Sequence, residues 1–224
     1  MEIFDAIKTR HSVRSYLNKP IPEQVVSQLQ AEIDACNHEG GLQIQLITNE
    51  PKAFDGMMAH YGKFSGVQNY IALIGKKGGD LEEKLGYYGE RIALKAQMLG
   101  LNTCWVALTF SKAITKKSCS INQGEKLVCV LSLGYGATQG VSHSSKPMES
   151  LCSVNGNMPE WFKQGMDAAM LAPTATNQQK FLITYVGDEA VLAKSLGGFY
   201  SKVDLGIVKY HFEAGAKSHS FSWR

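Results

Sequence analysis

Apolar residues recur along the chain with two different periods, and the alternation between them lays out a mixed α and β order. Ile3, Phe4 and Ile7, followed by polar positions, carry a helical spacing. A second helix starts at Ile21-Pro22-Glu23, with proline in its first turn ahead of Val25, Val26 and Leu29. The stretch between them, Arg10 to Pro20, reads as an exposed connection. Residues 43–48 alternate as a strand and Tyr70 to Ile74 form a buried strand. Leu85, Tyr88, Ile92, Leu94, Ala96 and Leu99 mark a helix over 80–99 that Gly100 closes. Strands follow at 104–108 and 126–133, the latter stopped by Gly134-Tyr135-Gly136. Beyond a polar stretch at 140–146 the series restarts, with a helix over 158–171, a strand over 181–186, and helices over 188–196 and 203–216. This order predicts an α+β fold, and its restart hints at a degenerate internal duplication.

Composition narrows the function classes. A chain of 224 residues with 44% hydrophobic and 19% charged content buries a sizeable core. The net charge is +3, and basic residues come in ones and twos, as at Lys76-Lys77 and Lys116-Lys117, so no nucleic-acid footprint is expected. A small or phosphorylated ligand fits this balance better. The longest apolar runs are strand-sized, which predicts neither a membrane span nor a signal peptide. Cys36, Cys104, Cys119, Cys129 and Cys152 are too scattered for a C-x-x-C metal site, and their odd number argues against a closed disulfide set, so a cytoplasmic setting is expected. Cys104 and Cys129 lie in apolar strand-like runs and read as core. His211 has no helical i+4 partner and His143 and His219 stand in polar loops, so no metal is expected. Phe199-Tyr200, Tyr210 and Phe212 read as core aromatics.

Two segments concentrate chemistry. Arg10-His11-Ser12-Val13-Arg14-Ser15-Tyr16 offers two guanidiniums, an imidazole and a hydroxyl, and in an extended chain positions 10, 12 and 14 point the same way. Guanidiniums supply planar, permanent donors to phosphate oxygens, so the segment reads as a phosphate grip, with a solvated basic turn as the alternative. Ala172-Pro173-Thr174-Ala175-Thr176-Asn177-Gln178-Gln179 presents backbone groups, a hydroxyl and side-chain amides suited to the edge of a heterocycle. An ordinary turn uses the same residue types.

With their settings, these segments resemble the nitroreductase family of FMN proteins. The family's R-[RH]-S-x-R-x-[FY] element is matched in full at Arg10 to Tyr16, and A-P-[ST]-x-x-N-x-Q is matched by Ala172-Pro173-Thr174 with Asn177 and Gln179. Gly100-Leu101-Asn102-Thr103-Cys104-Trp105 resembles G-L-G-T-C-W, Leu133-Gly134-Tyr135-Gly136 resembles L-G-Y-P, and Ser145-Lys146-Pro147-Met148-Glu149 resembles R-K-P-L-E. In the family the A-P-S element follows soon after the arginine element, and the two meet the flavin from different subunits of a dimer. Here the early position holds Ala35 to Gly41, without a match, and the element stands in the second half instead. Val203-Asp204-Leu205-Gly206-Ile207 resembles the D-L-G-[IV] start of the family's long central helix, which the first half repeats around Leu85-Gly86-Tyr87.

The resemblance implies a nitroreductase-like fold, a central mixed or antiparallel sheet flanked by helices, with an internal pseudo-duplication resembling a fused dimer. Residues 1–150 are expected to keep the phosphate-binding element, and residues 151–224 to form a shortened second half completing the same flavin site. It implies FMN as cofactor, NADH or NADPH as reductant, and reduction of a small acceptor such as a nitroaromatic or quinone. A flavin-binding protein with storage, sensing or other chemistry, or a flavin-free scaffold, is the alternative. Arg10, Ser12 and Arg14 are implied for the phosphate and ribityl chain, His11 for packing or backbone contact, and Lys146 for an added phosphate charge. Pro173, Thr174, Asn177 and Gln179 are implied beside the ring, with the backbone of Val106, Ala107 and Leu108 on its N5 side. No side chain is expected to act as nucleophile or acid/base catalyst, since hydride transfer needs chiefly that both rings be held in contact. Such a pseudo-dimer is sufficient as a monomer, and a homodimer stays open.

Overall fold

The computed structural model describes residues 1–217 and 219–224. They fold as two compact units: one comprises Met1, Thr9–Leu81 and Arg91–Ser142, the other Glu2–Lys8, Glu82–Glu90 and His143–Arg224. Helices α1 (Ile3–Thr9) and α4 (Leu81–Met98) are divided between them, with most of α1 and the early turns of α4 in the second unit.

The first unit is built on a four-stranded antiparallel sheet. After α2 (Glu23–Gly40) come β1 (Gln45–Ile47), α3 (Met57–Tyr61), β2 (Asn69–Lys76), the later turns of α4, β3 (Asn102–Val106), α5 (Lys112–Ser118) and β4 (Glu125–Gly134). The strand order is β1-β2-β4-β3. The run Tyr70 to Ile74 is apolar throughout because β2 is buried on both faces, and Ile71 and Ala72 pair with Leu131 and Val130 of β4. Phe54, Phe64, Tyr70 and Phe110 pack on one side of this sheet, with the Phe54 and Phe64 rings edge to face at 5.2 Å.

The second unit carries β5 (Cys152–Val154), α6 (Glu160–Ala169), β6 (Phe181–Gly187), β7 (Ala190–Ser195), α7 (Ser201–Ala216) and β8 (Ser222–Trp223). Its sheet, β5-β6-β7-β8, is mixed, with an antiparallel centre and parallel outer pairs. Residues 188–196, expected as a helix, form β7 instead. Gly187, Asp188 and Glu189 all adopt left-handed φ (88°, 47° and 56°) and turn the chain back, so Ala190 to Ser195 pair with β6. A short apolar run does not separate the two periods, and strand pairing decides between them.

Within this unit the early turns of α4 cross α7 on two glycines. A Cβ at Gly206 meets the Glu83 carbonyl oxygen at 1.9 Å, and one at Gly86 meets that of Val203 at 2.0 Å. Each glycine thus lies on the carbonyl three residues before the other, the reciprocal pattern of a two-fold contact. Lys209 pairs with Glu83, and the Tyr87 hydroxyl donates to Glu213 at 2.5 Å across the same crossing. His211, fully buried, donates from Nδ1 to the Ala168 carbonyl at 3.1 Å and meets Glu90 through Nε2 at 2.9 Å.

Candidate functional site

The arginine segment is an extended stretch stitched into the first unit by its main chain, not an exposed connection. Val13 N–H donates to the Thr103 carbonyl at 3.1 Å, Tyr16 N–H to that of Ser65 at 3.0 Å, and Arg14 O accepts from Ser65 N–H at 3.0 Å. Val13 and Tyr16 turn into the core, and the Tyr16 hydroxyl donates to Val13 O at 2.7 Å and pairs with Ser132 Oγ at 2.7 Å. Apolar anchors at these positions fix the segment and leave its other side chains for other work.

Three of those side chains act on the Cys104 thiol. The Cys104 thiol of β3 is pushed up by burial, an effect opposed by Arg14, by a hydrogen bond from Ser12, and by Arg10. Ser12 is within hydrogen-bond reach of that thiol, and the charges of Arg14 and Arg10 are near enough to be felt there. Arg10 is only 4% exposed, whereas Arg14 reaches solvent and lies 6.0 Å over the Phe64 ring centroid. His11 packs by its stem: a Cβ at Gly140 meets the His11 Cβ at 2.7 Å. At the far end of β3, Val106 is buried, Ala107 half-buried and Leu108 is 60% exposed, so the chain emerges to the surface here.

In the second unit, Thr174, Asn177, Gln179 and Lys146 are brought together, but largely to satisfy one another. Gln179 Nε2 donates to Ser144 O at 2.8 Å and to Asn177 Oδ1 at 2.9 Å, while its Oε1 accepts from the Lys146 amide at 2.8 Å. Thr174 Oγ1 accepts from Gln179 N–H at 3.0 Å and Asn177 Nδ2 donates to Ser144 O at 3.0 Å. Lys146 Nζ donates to the carbonyls of Gln178 at 2.8 Å and Gln179 at 3.2 Å. Pro173 leads into the loop half-buried. Both amide protons of Gln179 are used, by Ser144 and Asn177, and the N–H groups of Ala175, Asn177, Gln178 and Gln179 are bonded as well, so the polar groups of this segment, main chain included, chiefly hold its own conformation.

The loop is also strained. Thr176, Asn177 and Gln179 have φ of 52°, 55° and 45°, a region that costs residues with a Cβ roughly 1–3 kcal/mol each. Asp204, in the first turn of α7, holds the loop: Oδ1 accepts from Ala175 N–H at 2.9 Å and Oδ2 from Gln178 Nε2 at 2.7 Å. Burial raises its carboxyl to about 6, against the pull of Gln178 and Ala175. Neither Asp204 nor Gln178 stands out as a site residue from sequence; the signal available was an acid at the start of an otherwise apolar helix face.

Comparisons with known proteins place the chain. Several solved structures share its fold. A structure described as a "putative nitroreductase" from Thermotoga maritima aligns over 95% of this chain and 82% of its own, with a TM-score of 0.64 and 24% identity. A second nitroreductase so described, from Desulfovibrio desulfuricans and in complex with FMN, aligns over 71% of this chain and 98% of its own, at 0.54 and 19%. A "Putative NADH dehydrogenase/NAD(P)H nitroreductase" from Parabacteroides distasonis covers 66% of this chain and 95% of its own, at 0.53 and 17%. Among curated proteins nothing matches. Among the described residues no helix is long and apolar enough to cross a membrane. The family model "Putative TM nitroreductase" matches residues 2–216, nearly the whole chain, and the protein belongs to that nitroreductase family.

Proposed function

We propose that the protein is an FMN-dependent oxidoreductase that uses NADH or NADPH to reduce a small acceptor such as a nitroaromatic or quinone. The observation that carries this reading is the extended stretch that carries Arg10, Ser12 and Arg14 lying along β3, with Val13 N–H bonded to the Thr103 carbonyl beside Cys104. Two permanently charged guanidiniums and a hydroxyl are the donor set that a phosphate monoester dianion requires, so the residues present fit the cofactor by their chemistry. When bound, FMN supplies a ring that accepts hydride and passes electrons onward.

Arg10 and Arg14 then hold the phosphate and Ser12 adds a neutral donor, with His11 packed behind them. Main-chain N–H groups at Val106, Ala107 and Leu108 offer fixed dipoles to charge that develops on a reduced ring, without a titrating side chain. The ring-side role of Pro173, Thr174, Asn177 and Gln179 is a separate proposal, judged by its own variants. Lys146 serves that loop through its bonds to the carbonyls of Gln178 and Gln179. We assign one FMN per chain, because each element occurs once in the sequence. The reciprocal crossing at Gly86 and Gly206 supports reading the chain as a fused pair whose halves correspond to residues 1–150 and 151–224.

The test is a flavin titration of the purified protein followed by absorbance and fluorescence, repeated with Arg10 and Arg14 both changed to alanine. Saturation at one FMN per chain, lost in the double variant, is expected, together with steady oxidation of NADH or NADPH when a quinone or nitroarene is present. FMN binding without turnover points to storage or sensing. No uptake by the native chain overturns the flavin reading.

A further inference from the structure

We propose that Asp204 is a positioning residue for flavin binding: from the first turn of α7 its carboxylate grips Ala175 and Gln178 and sets the conformation of the 174–179 loop. The inference rests on reading that loop as part of the flavin site. It starts from the backbone. Thr176, Asn177 and Gln179 all sit in the left-handed region, and residues with a Cβ stay there only where the surroundings over-determine them.

Most of what holds them comes from the loop itself or from the neighbouring 144–146 strand of chain. Thr174, Asn177 and Gln179 bond to one another and to Ser144, and Lys146 reaches the carbonyls of Gln178 and Gln179 from an exposed side chain. Such bonds make the loop self-consistent without fixing where it stands. Asp204 differs: it is 5% exposed and rides on α7 two residues before Gly206, where that helix meets the backbone of α4. It ties the loop to α7 close to where Gly206 rests on the Glu83 carbonyl of α4. Gln178 completes the tie, since its Nε2 donates both to Asp204 and to Phe199 O at 2.8 Å.

The choice of a carboxylate is informative. Both of its oxygens accept, one from a main-chain N–H and one from an amide, which an asparagine of equal size does not reproduce. Asp204→Asn aims an N–H at Gln178 Nε2. Turning the Gln178 amide over to meet it sets Oε1 against the Phe199 carbonyl. An ordinary helix-terminal aspartate gains from the helix dipole while remaining in water, so that role alone gives no reason for burial. Burial moves the carboxyl up to about 6, so at neutral pH it is ionised and accepts both bonds, while in mild acid one oxygen becomes a donor. Lys146 reaches the loop's carbonyls, His143 bonds Met170 O beside it, and the Lys180 stem lies with the Gln178 side chain against Gly198.

The experiment is amide hydrogen exchange on the flavin-free protein, native and Asp204→Asn, alongside FMN affinity. The expected result is about a tenfold or larger loss of protection over residues 175–179 in the variant, the scale of a hydrogen bond to a charged group, with β6 and α6 amides unchanged. In the native protein, protection of the loop falls as pH drops through about 6, and in Asp204→Asn that step is absent, which separates Asp204 from His143. FMN binds the variant about tenfold more weakly than the native chain. Should the variant fail to fold, Gln178→Ala keeps the Ala175 bond and is expected to loosen residues 177–179 alone. Unchanged loop protection overturns the proposal, as does a loosened loop that binds FMN like the native one. If the native chain takes up no FMN, the flavin reading falls by itself, while the exchange result still decides whether Asp204 holds the loop.

Discussion

In the first unit the segment Arg10 to Tyr16 ties down its main chain, through Thr103 and Ser65, and its charged and hydroxyl side chains are felt at the Cys104 thiol of β3. In the second unit the loop 174–179 does otherwise: its side chains bond to one another, to Ser144 and to Asp204, and most of its main-chain N–H groups are bonded within the loop or to Asp204. A grip made of side chains is selected for charge and donor geometry. A loop whose side chains and main chain are bonded mostly to one another is selected for conformation, and its side chains are scaffolding. The same short list of polar residues therefore means different things in the two places.

The comparison breaks most visibly at the arginines. If Arg10 and Arg14 hold the phosphate as proposed, changing both to alanine removes two charge-assisted contacts, and FMN affinity is expected to fall roughly 100- to 10,000-fold. Riboflavin, which has the same ring and no phosphate, is expected to bind the variant and the native protein alike in parallel fluorescence titrations. An equal loss for both ligands would mean that the segment supports the ring or the fold and is no phosphate grip.

The two regions also differ in how far the sequence reveals them. The arginine segment was legible as a concentration of charged and hydroxyl groups at alternate positions but not as part of the fold, since Val13 and Tyr16 anchor it in the core where an exposed connection was expected. The strands β2, β4 and β6 and the helices α4 and α7 were legible from long apolar periods. The strand β7 was not, since Ala190 to Leu196 suits either period and the left-handed turn at 187–189 decides. The loop was legible as a motif but not as an object. No pattern announces that Thr176, Asn177 and Gln179 take left-handed φ, or that the Asp204 carboxylate meets Ala175 and Gln178 beside them, because both facts arise from tertiary packing. The short α3 and α5 and the two-residue β8 likewise carry too few positions for a period to register.

Asp204 sharpens the contrast through pH. Its folded carboxyl is raised from 3.8 to about 6, so between those values the folded chain holds a proton that the unfolded chain has released. Its contribution to stability is therefore full below about pH 4, declines as pH rises to about 6 and is constant above; a shift of this size corresponds to on the order of 3 kcal/mol. Denaturant unfolding of the native protein and of Asp204→Asn from pH 4 to 7.5 is expected to show the difference between them changing by that order across the window. A flat difference would show that the carboxyl is not buried as described. The sign is opposite to that of loop order, which improves with ionisation: the chain gives up global stability at neutral pH to hold one loop in place.

Lys146 gives the smallest effect and the finest test. The resemblance implies a phosphate charge at this position, whereas its ammonium bonds the carbonyls of Gln178 and Gln179 and its amide bonds Gln179 Oε1. The two roles separate by ligand. If Lys146 belongs to the loop, Lys146→Ala weakens FMN and riboflavin equally, by about two- to tenfold, since an exposed ammonium bonded to carbonyls is worth little more than an ordinary hydrogen bond. If it belongs to the phosphate, FMN alone is weakened and riboflavin is untouched. The amide of residue 146 is kept in the variant, so the Gln179 side chain stays anchored and the measured change reports the ammonium alone. An equal loss would extend the contrast between the units to every polar side chain around the loop, and a loss confined to FMN would make Lys146 the one residue of this cluster that works as the arginines do.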